Sequence, residues 1–367
     1  MNVPQGHPAK PAKGRGAGGN PANRFKPLAR STAEDWLDDP QGPASDMHFL
    51  QDASKSILSS NDSPDIPFTY SANPYRGCEH GCAYCYARPT HEYFELSAGL
   101  DFETRILVKE NAPALLSREL SKPKWQPQAI TLSGVTDPYQ PVERKLELTR
   151  RCLQVLLDFR NPVAVITKNH LVTRDTDVLA ELADFDCAAV YLSVTTLDAD
   201  LSRKLEPRAA VPDKRLEAIR TLNDAGIPVG VMAAPVIPVG VMAAPVIPGL
   251  TDHELPNILK AAKQAGARSA GYLVLRLPYG VKEIFREWLE THVPTHAGKV
   301  LNRIREVRGG QMNDARFGSR MKGQGVYAEQ IRLLFESAYK QAGFADRGPA
   351  LSTQNFRNPH DRQTKLF

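Results

Sequence analysis

The sequence predicts an α/β fold of alternating strands and helices, laid out as a parallel sheet or a barrel. Three observations carry this. Short runs rich in β-branched residues, AITLS at 129–133 and VAVIT at 163–167 among them, recur between segments of helical periodicity. The helical segments at 213–225 and 252–265 are each followed by a glycine, Gly226 and Gly266, which favours a helix C-terminus. About six strand–helix units fit, short of the eight of a full barrel.

In chain order, 105–109 (RILVK) reads as an accessory strand and 113–120 as a helix. The strand at 129–133 precedes a helix at 147–159, with Leu148, Cys152, Val155, Leu156 and Phe159 on one face. The strand at 163–167 leads to a helix at 175–183, and that at 190–194 to the helix at 213–225. A proline-rich strand region precedes the helix at 252–265, followed by a strand at 271–275 and a helix at 281–289. Periodic segments at 299–305 and 327–342, joined by a Gly- and Arg-rich loop, predict a small helical extension at 291–345, and 346–367 reads as a mobile polar tail. The strands end in polar, glycine-bearing sequence: SGVTD at 133–137, TKN at 167–169, SVTT at 193–196 and LRLP at 275–278. In parallel α/β folds ligands collect at those ends.

Composition bounds the class. The chain has 367 residues, enough for one large domain with appendages, and 46 basic against 41 acidic residues give a mild +5 that does not by itself indicate nucleic-acid binding. Five cysteines do not make a disulfide framework, and the N-terminus lacks the apolar core of a signal peptide, so a reducing cytoplasm is expected. Residues 226–251 are uncharged and apolar, but prolines at 228, 235, 238, 245 and 248 each cost a helix ~3 kcal/mol, and no membrane span is expected. Residues 1–45 read as a disordered basic tail: Lys10, Lys13, Arg15, Arg24, Lys26 and Arg30 precede the first acid, Glu34. A solvated tail is the expectation; a weak electrostatic arm for nucleic acid is the sharper reading.

PVGVMAAPVI at 228–237 is repeated letter for letter at 238–247. Ten is even, so either copy presents the same side chains to the same face of a strand, and only one can fill the strand position. The second copy runs directly into Pro248-Gly249, so 238–247 is expected as the strand and 228–237 as the displaced segment.

Three of the five cysteines, Cys78, Cys82 and Cys85, fall in NPYRGCEHGCAYCYAR at 73–88, spaced C-x3-C-x2-C. Zinc wants four ligands and there is no second Cys or His pair of matching spacing, although His80 and His91 lie nearby. A thioredoxin-like pair would leave Cys78 unexplained. Iron–sulfur clusters normally use four cysteines, so three in one loop suggest a [4Fe-4S] cluster with one iron open to an exogenous ligand.

With Tyr84 just before the last cysteine and alternating strands and helices following, 67–290 resembles the core of the radical S-adenosylmethionine (radical SAM) superfamily. That resemblance implies a partial (βα)6 TIM-like barrel, a [4Fe-4S] cluster on the three cysteines, and S-adenosylmethionine chelating the fourth iron. It also implies reductive cleavage to methionine and a 5′-deoxyadenosyl radical that takes hydrogen from a substrate, with an electron donor such as a flavodoxin or ferredoxin. Further segments, LSGVTDPYQPVE, ITKN, LSVTT, LEPRAAVPDKRLEAI and APVIPGLTD, are similar to spore photoproduct lyase-like proteins. By that likeness Ser133, Gly134, Thr136 and Asp137 meet the methionyl amine, Lys168 the methionyl carboxylate and Ser193 the ribose. Pro248, Gly249 and Leu275 line the adenine, while Glu206 and Arg208 form an ion pair or reach the cofactor. Photoproduct lyases carry a further cysteine at the second-strand end, to return hydrogen to the product radical; SGVTD has none, which speaks against photolyase activity. Cys152 and Cys187 read as buried structural thiols, and Tyr84, Tyr86 and Tyr139 as packing groups or radical relays. Two readings follow: a radical SAM enzyme on an unidentified substrate, with nucleic acid a candidate, or a non-catalytic nucleic-acid-binding protein stabilised by zinc or a cluster.

Overall fold

The computed structural model describes residues 14–25, 47–66, 68–230, 241–344 and 351–360. It is an α/β structure with mixed sheets. Around the cysteine motif stand β1 (His48–Gln51), β2 (Leu58–Ser60), β3 (Tyr70–Ala72), β4 (Tyr75–Arg76), α1 (Leu100–Thr104), β5 (Arg105–Val108) and α2 (Ala112–Leu120). Strand–helix units follow: β6 (Ile130–Leu132) with α3 (Glu143–Leu146) and α4 (Leu148–Phe159), then β7 (Val163–Thr167) with α5 (Thr176–Ala183). Next come β8 (Ala188–Leu192) with α6 (Ala199–Leu205) and α7 (Pro212–Asp224), and β9 (Val229–Gly230) and β10 (Val241–Val246) with α8 (Leu255–Gln264). β11 (Ala270–Val274) leads to α9 (Val281–His292), α10 (Pro294–Val307), α11 (Ser319–Lys322) and α12 (Gly325–Gln341).

β3, β6, β7, β8 and β9 pair in parallel in that order, with β2 antiparallel on the β3 edge. β10 and β11 form a second parallel pair. A 3.0 Å bond from Arg268 N to Val229 O links the two groups. β5 lies in a separate sheet between β1 and β4, the accessory place its sequence suggested. Every residue of β8 is buried, the pattern of a parallel strand covered on both faces. Of the expected face, α4 buries Leu148, Cys152, Leu156 and Phe159 and leaves Val155 half-buried, while Leu153 and Leu157 join the buried stripe. α12 puts Ala328, Ile331, Phe335 and Ala338 into the main core, with the Phe335 ring 4.7 Å from that of Tyr272.

The repeat is divided differently from the expectation. Val229–Gly230 of the first copy pairs with β8, while Val241–Val246 of the second pairs with β11; residues 231–240 lie outside those described. Because the copies are identical, the chain can change from one to the other at any point without altering the side chains offered. It docks on β8 directly after α7, where Val190 N donates to Pro228 O at 3.2 Å. Deleting 228–237 or 231–240 yields one and the same sequence. That deletion should make β9 and β10 a single strand, remove about 2 kcal/mol of loop-closure entropy and raise the melting temperature by several degrees. A fall in calorimetry would show that the inserted decapeptide supports the fold.

Candidate active site

The cysteine loop leaves β4 and is fixed by its own backbone. Cys78 N donates to Phe102 O (2.9 Å), Gly81 N to Cys78 O (3.3 Å), Ala83 N to Leu205 O (2.9 Å) and Cys85 N to Cys82 O (3.2 Å). Cys78 and Cys82 are buried, Cys85 is half-buried, and all three are free thiols lining one cavity of about 200 Å³. Burial, then the Glu206 carboxylate, pushes the Cys82 thiol well up against the pull of Lys168. Burial also raises Cys85, opposed by Arg88 and Lys168. Such thiols stay protonated until a cation joins them, and a bound metal deprotonates its thiol ligands outright.

Beneath the loop, Arg88 and Glu103 form a fully buried pair. Arg88 uses all five N–H groups: two to Cys82 O, one each to Ala98 O and Gly99 O, and one to Glu103 Oε1. Glu103 also accepts from Gly16 N (3.1 Å) and Ala17 N (2.9 Å). Residues 14–25 of the expected disordered tail therefore lie against the cysteine loop. Asn20 exchanges two bonds with Asp101, Asn23 Nδ2 donates to Glu92 O and Leu96 O, and Arg24 pairs with Glu92. A side chain at position 16 would overlap the Gly81 carbonyl oxygen, so this approach requires glycine.

The parallel strand ends form the opposite wall. Ser133, Gly134, Thr136, Asp137, Lys168 and Ser193 all line the cavity. Asp137 is already engaged: it accepts from Thr167 Oγ1 (2.6 Å), Lys168 N (2.8 Å) and Tyr139 N (2.9 Å), and lies 3.3 Å from His80 Nδ1. Burial would raise its pKa, but His80 and these bonds outweigh it and hold the carboxyl below its ordinary value. Burial would lower His80, yet Asp137 and Cys78 push it up to about 10. Lys168 Nζ makes no hydrogen bond or ion pair among the described residues and lies 6.0 Å from the Tyr84 ring centre. A second fully buried pair, Glu206–Arg215, joins loop to strand ends: Tyr84 and Thr195 hydroxyls donate to Glu206, while Arg215 donates to Ser193 O (2.9 Å). Glu206 and Arg208 do not pair with each other; Arg208 reaches Glu79 at 3.3 Å.

Pro248, Gly249 and Leu275 do not line this cavity. Gly249 N bonds Asp252 Oδ2 and the residue packs near Arg303, while Leu275 lies in the apolar cluster behind Cys82 and Tyr84. Pattern reading gave His80, Tyr86 and Arg276 no cofactor-binding place, and it passed over Asp65 and Met321; all five line the cavity. The only sequence signal for His80, Tyr86 and Arg276 is their proximity to the motif or to a strand end; Asp65 and Met321 carry none. Tyr84 and Tyr139 have their hydroxyls bound to Glu206 and Asp175, and Tyr86 donates to Gly134 O. Cys152 sits in the main core, and Cys187 Sγ donates to Arg160 O and Phe185 O. Among the described residues no three His, Cys, Asp or Glu side chains converge on one point as a zinc site requires. A cluster takes one thiolate per iron and needs no such convergence, so this donor set fits a cluster better than a single ion.

The radical SAM superfamily model matches residues 72–262, slightly over half of the chain. The chain belongs to the radical SAM superfamily. Its cofactors are therefore a [4Fe-4S] cluster and S-adenosylmethionine. An uncharacterized protein of Mycobacterium tuberculosis strain H37Rv is 35% identical over 244 residues, 66% of this chain and 68% of that protein. An uncharacterized protein of Methanocaldococcus jannaschii is 32% identical over 168 residues, 46% of this chain and 60% of the other. Spore photoproduct lyase complexed with dinucleoside spore photoproduct shares the fold at TM-score 0.53 and 14% identity, over 80% of this radical SAM chain and 79% of that one.

The buried pair under the loop gives a direct test. Glu103→Ala leaves the Arg88 charge buried without its carboxylate and should cost about 3–5 kcal/mol in urea unfolding. A cost below about 1 kcal/mol would show that the carbonyls alone satisfy Arg88.

Proposed function

We propose that Cys78, Cys82 and Cys85 each hold one iron of the cluster and that the fourth iron faces the strand ends, where S-adenosylmethionine binds. The observation that supports this most is the meeting of three free thiols and the β6, β7 and β8 ends in one cavity. The six parallel strand positions, β3, β6, β7, β8, β9–β10 and β11, are read as the staves of a partial (βα)6 barrel open at one side. Residues 67–290 are assigned as the catalytic unit and 291–345 as its helical extension; the expected tails are not both free of it, because 14–25 pack on the cysteine loop and 351–360 on the main core, where Ser352 N donates to Asp186 O (2.9 Å) and Arg357 N to Phe159 O (2.9 Å).

When bound, the cluster and S-adenosylmethionine supply reductive cleavage of the sulfonium and a carbon radical that takes hydrogen from substrate. The chain's residues bind and orient. Lys168, with its ammonium free, suits the methionyl carboxylate; the Ser133–Gly134 turn and Thr136 suit the methionyl amine, and Ser193 the ribose. Asp137 acts from behind: its bonds to His80, Thr167 and Lys168 N lock loop and strand ends into one register. No helix among the described residues is long and apolar enough to cross a membrane. A cytoplasmic enzyme fed electrons by a flavodoxin- or ferredoxin-type donor fits these features. Nucleic acid is a candidate substrate from the Arg-rich loop at 308–325 and the shared photoproduct lyase fold, although the additional thiol at the second-strand end is replaced by SGVTD.

Anaerobic reconstitution tests the assignment: about four irons per chain and 5′-deoxyadenosine on reduction are expected. Stoichiometric zinc with no cleavage would overturn it in favour of a metal-stabilised binding protein. Cys82→Ala should abolish cleavage while circular dichroism and the melting transition stay close to those of the parent, because the thiol sits on a loop anchored by its backbone.

A further inference from the structure

Two residues beyond β11, Arg276 borders both the cysteine-lined cavity and a second one of about 940 Å³. The second cavity is lined by Lys282, Arg308, Asn313, Arg316 and Arg320 among others. Its charges fall into two groups. Arg316 is paired with Asp314, Arg320 with Asp65, and Lys282 lies 3.9 Å from Glu283. Arg276 and Arg308 have no carboxylate within ion-pair distance among the described residues; Asp65 acts on Arg276, and Asp314, which also lines the cavity, on Arg308, only from farther off. Arg308 is 2% exposed; its Nη atoms donate to the carbonyls of Ser319, Arg320, Val274 and Leu275, and its Nε has no partner. Arg276 is half-buried, reaches Met321 Sδ at 3.6 Å, and its Nε is likewise unsatisfied.

A guanidinium withdrawn from water without a counter-charge is costly, and a second in the same wall compounds the cost by repulsion. Burial, and then Arg276, depresses Arg308 to about 10; burial, and then Arg320, depresses Arg276. An anion on the Arg276 fork relieves that cost directly, and it relieves Arg308, whose Nη groups are already filled by carbonyls, through the field alone. A fork backed by a second positive charge suits a doubly charged tetrahedral oxyanion better than a single carboxylate. The volume is that of a small-molecule site, roughly 300–1,000 Å³, far larger than one oxyanion needs, so the anion is part of a larger molecule. Arg276 also faces the Tyr86 ring at 5.7 Å, and Tyr86 follows Cys85 directly, which sets such a molecule beside the first cavity.

We propose that the second cavity binds the phosphate group of the substrate, with the remainder of that molecule passing Arg276 toward the cysteines. The direction of this placement rests on reading the first cavity as the radical site; phosphate binding itself does not. The test is a calorimetric titration of the reconstituted full chain with inorganic phosphate at constant ionic strength, with acetate as the carboxylate control. Saturable phosphate binding, little acetate binding, a loss of about tenfold or more in Arg276→Gln and a smaller loss in Arg276→Lys are expected. Saturating S-adenosylmethionine should leave the phosphate affinity unchanged. No saturable binding, equal binding of acetate, unaltered affinity in Arg276→Gln, or competition by S-adenosylmethionine would each overturn the proposal. Should Arg276→Gln not fold, the parent titration, the competition arm and Arg276→Lys still decide it. Phosphate binding without S-adenosylmethionine cleavage would keep this proposal and sink the radical reading; cleavage without phosphate binding would do the reverse.

Discussion

The contact on which the site depends is the buried Arg88–Glu103 pair. A cysteine loop with little regular structure and flexible glycines at 77 and 81 leaves much of its backbone to be held by partners outside it. Arg88 supplies the missing rigidity from inside, with five donors all satisfied and two of them on the Cys82 carbonyl. Glu103 neutralises that charge and, with its remaining capacity, draws the N-terminal segment onto the loop through Gly16 and Ala17. Buried ion pairs often contribute little net stability and are better attested as devices that select one geometry. Selecting one geometry is what a loop carrying three free thiols toward one cavity needs.

The same device recurs on the other side of the loop. Glu206–Arg215 fastens Tyr84 to the β8 end, and His80–Asp137 fastens the loop to the β6 and β7 ends. Three buried charge pairs thus surround one small cavity, and each links the cysteine segment to a different part of the frame. Lys168 stands apart because its ammonium makes no hydrogen bond or ion pair among the described residues and acts on Glu206 and Cys82 only from a distance.

Much of the frame was legible in the sequence because its signals are local. VAVIT at 163–167 is the strand β7, the 147–159 periodicity is α4 within one residue, and Gly226 and Gly266 do close α7 and α8 with positive φ. The cysteine motif and the polar strand ends Ser133, Lys168 and Ser193 meet as the spacing and resemblance implied. What pattern reading missed is long-range. Residues 14–25 bind through backbone N–H groups and asparagine amides to partners about 70–90 positions away, and such contacts leave no periodicity; glycine-rich composition pointed to disorder instead. Gly249 fell outside the cavity because its turn is held by Asp252 and packs toward α10, a tertiary choice that residue type does not reveal. The perfect repeat defeated register assignment for a different reason: identical copies carry no information about where the chain changes from one to the other.

The most direct test of the assigned centre is electron paramagnetic resonance of the reduced, reconstituted chain with and without S-adenosylmethionine. A three-cysteine cluster with an open iron should give a signal that changes on adding S-adenosylmethionine, with the change weakened in Lys168→Ala. A signal indifferent to S-adenosylmethionine, or a centre that survives Cys78→Ala intact, would contradict the assignment of these thiols and this cavity.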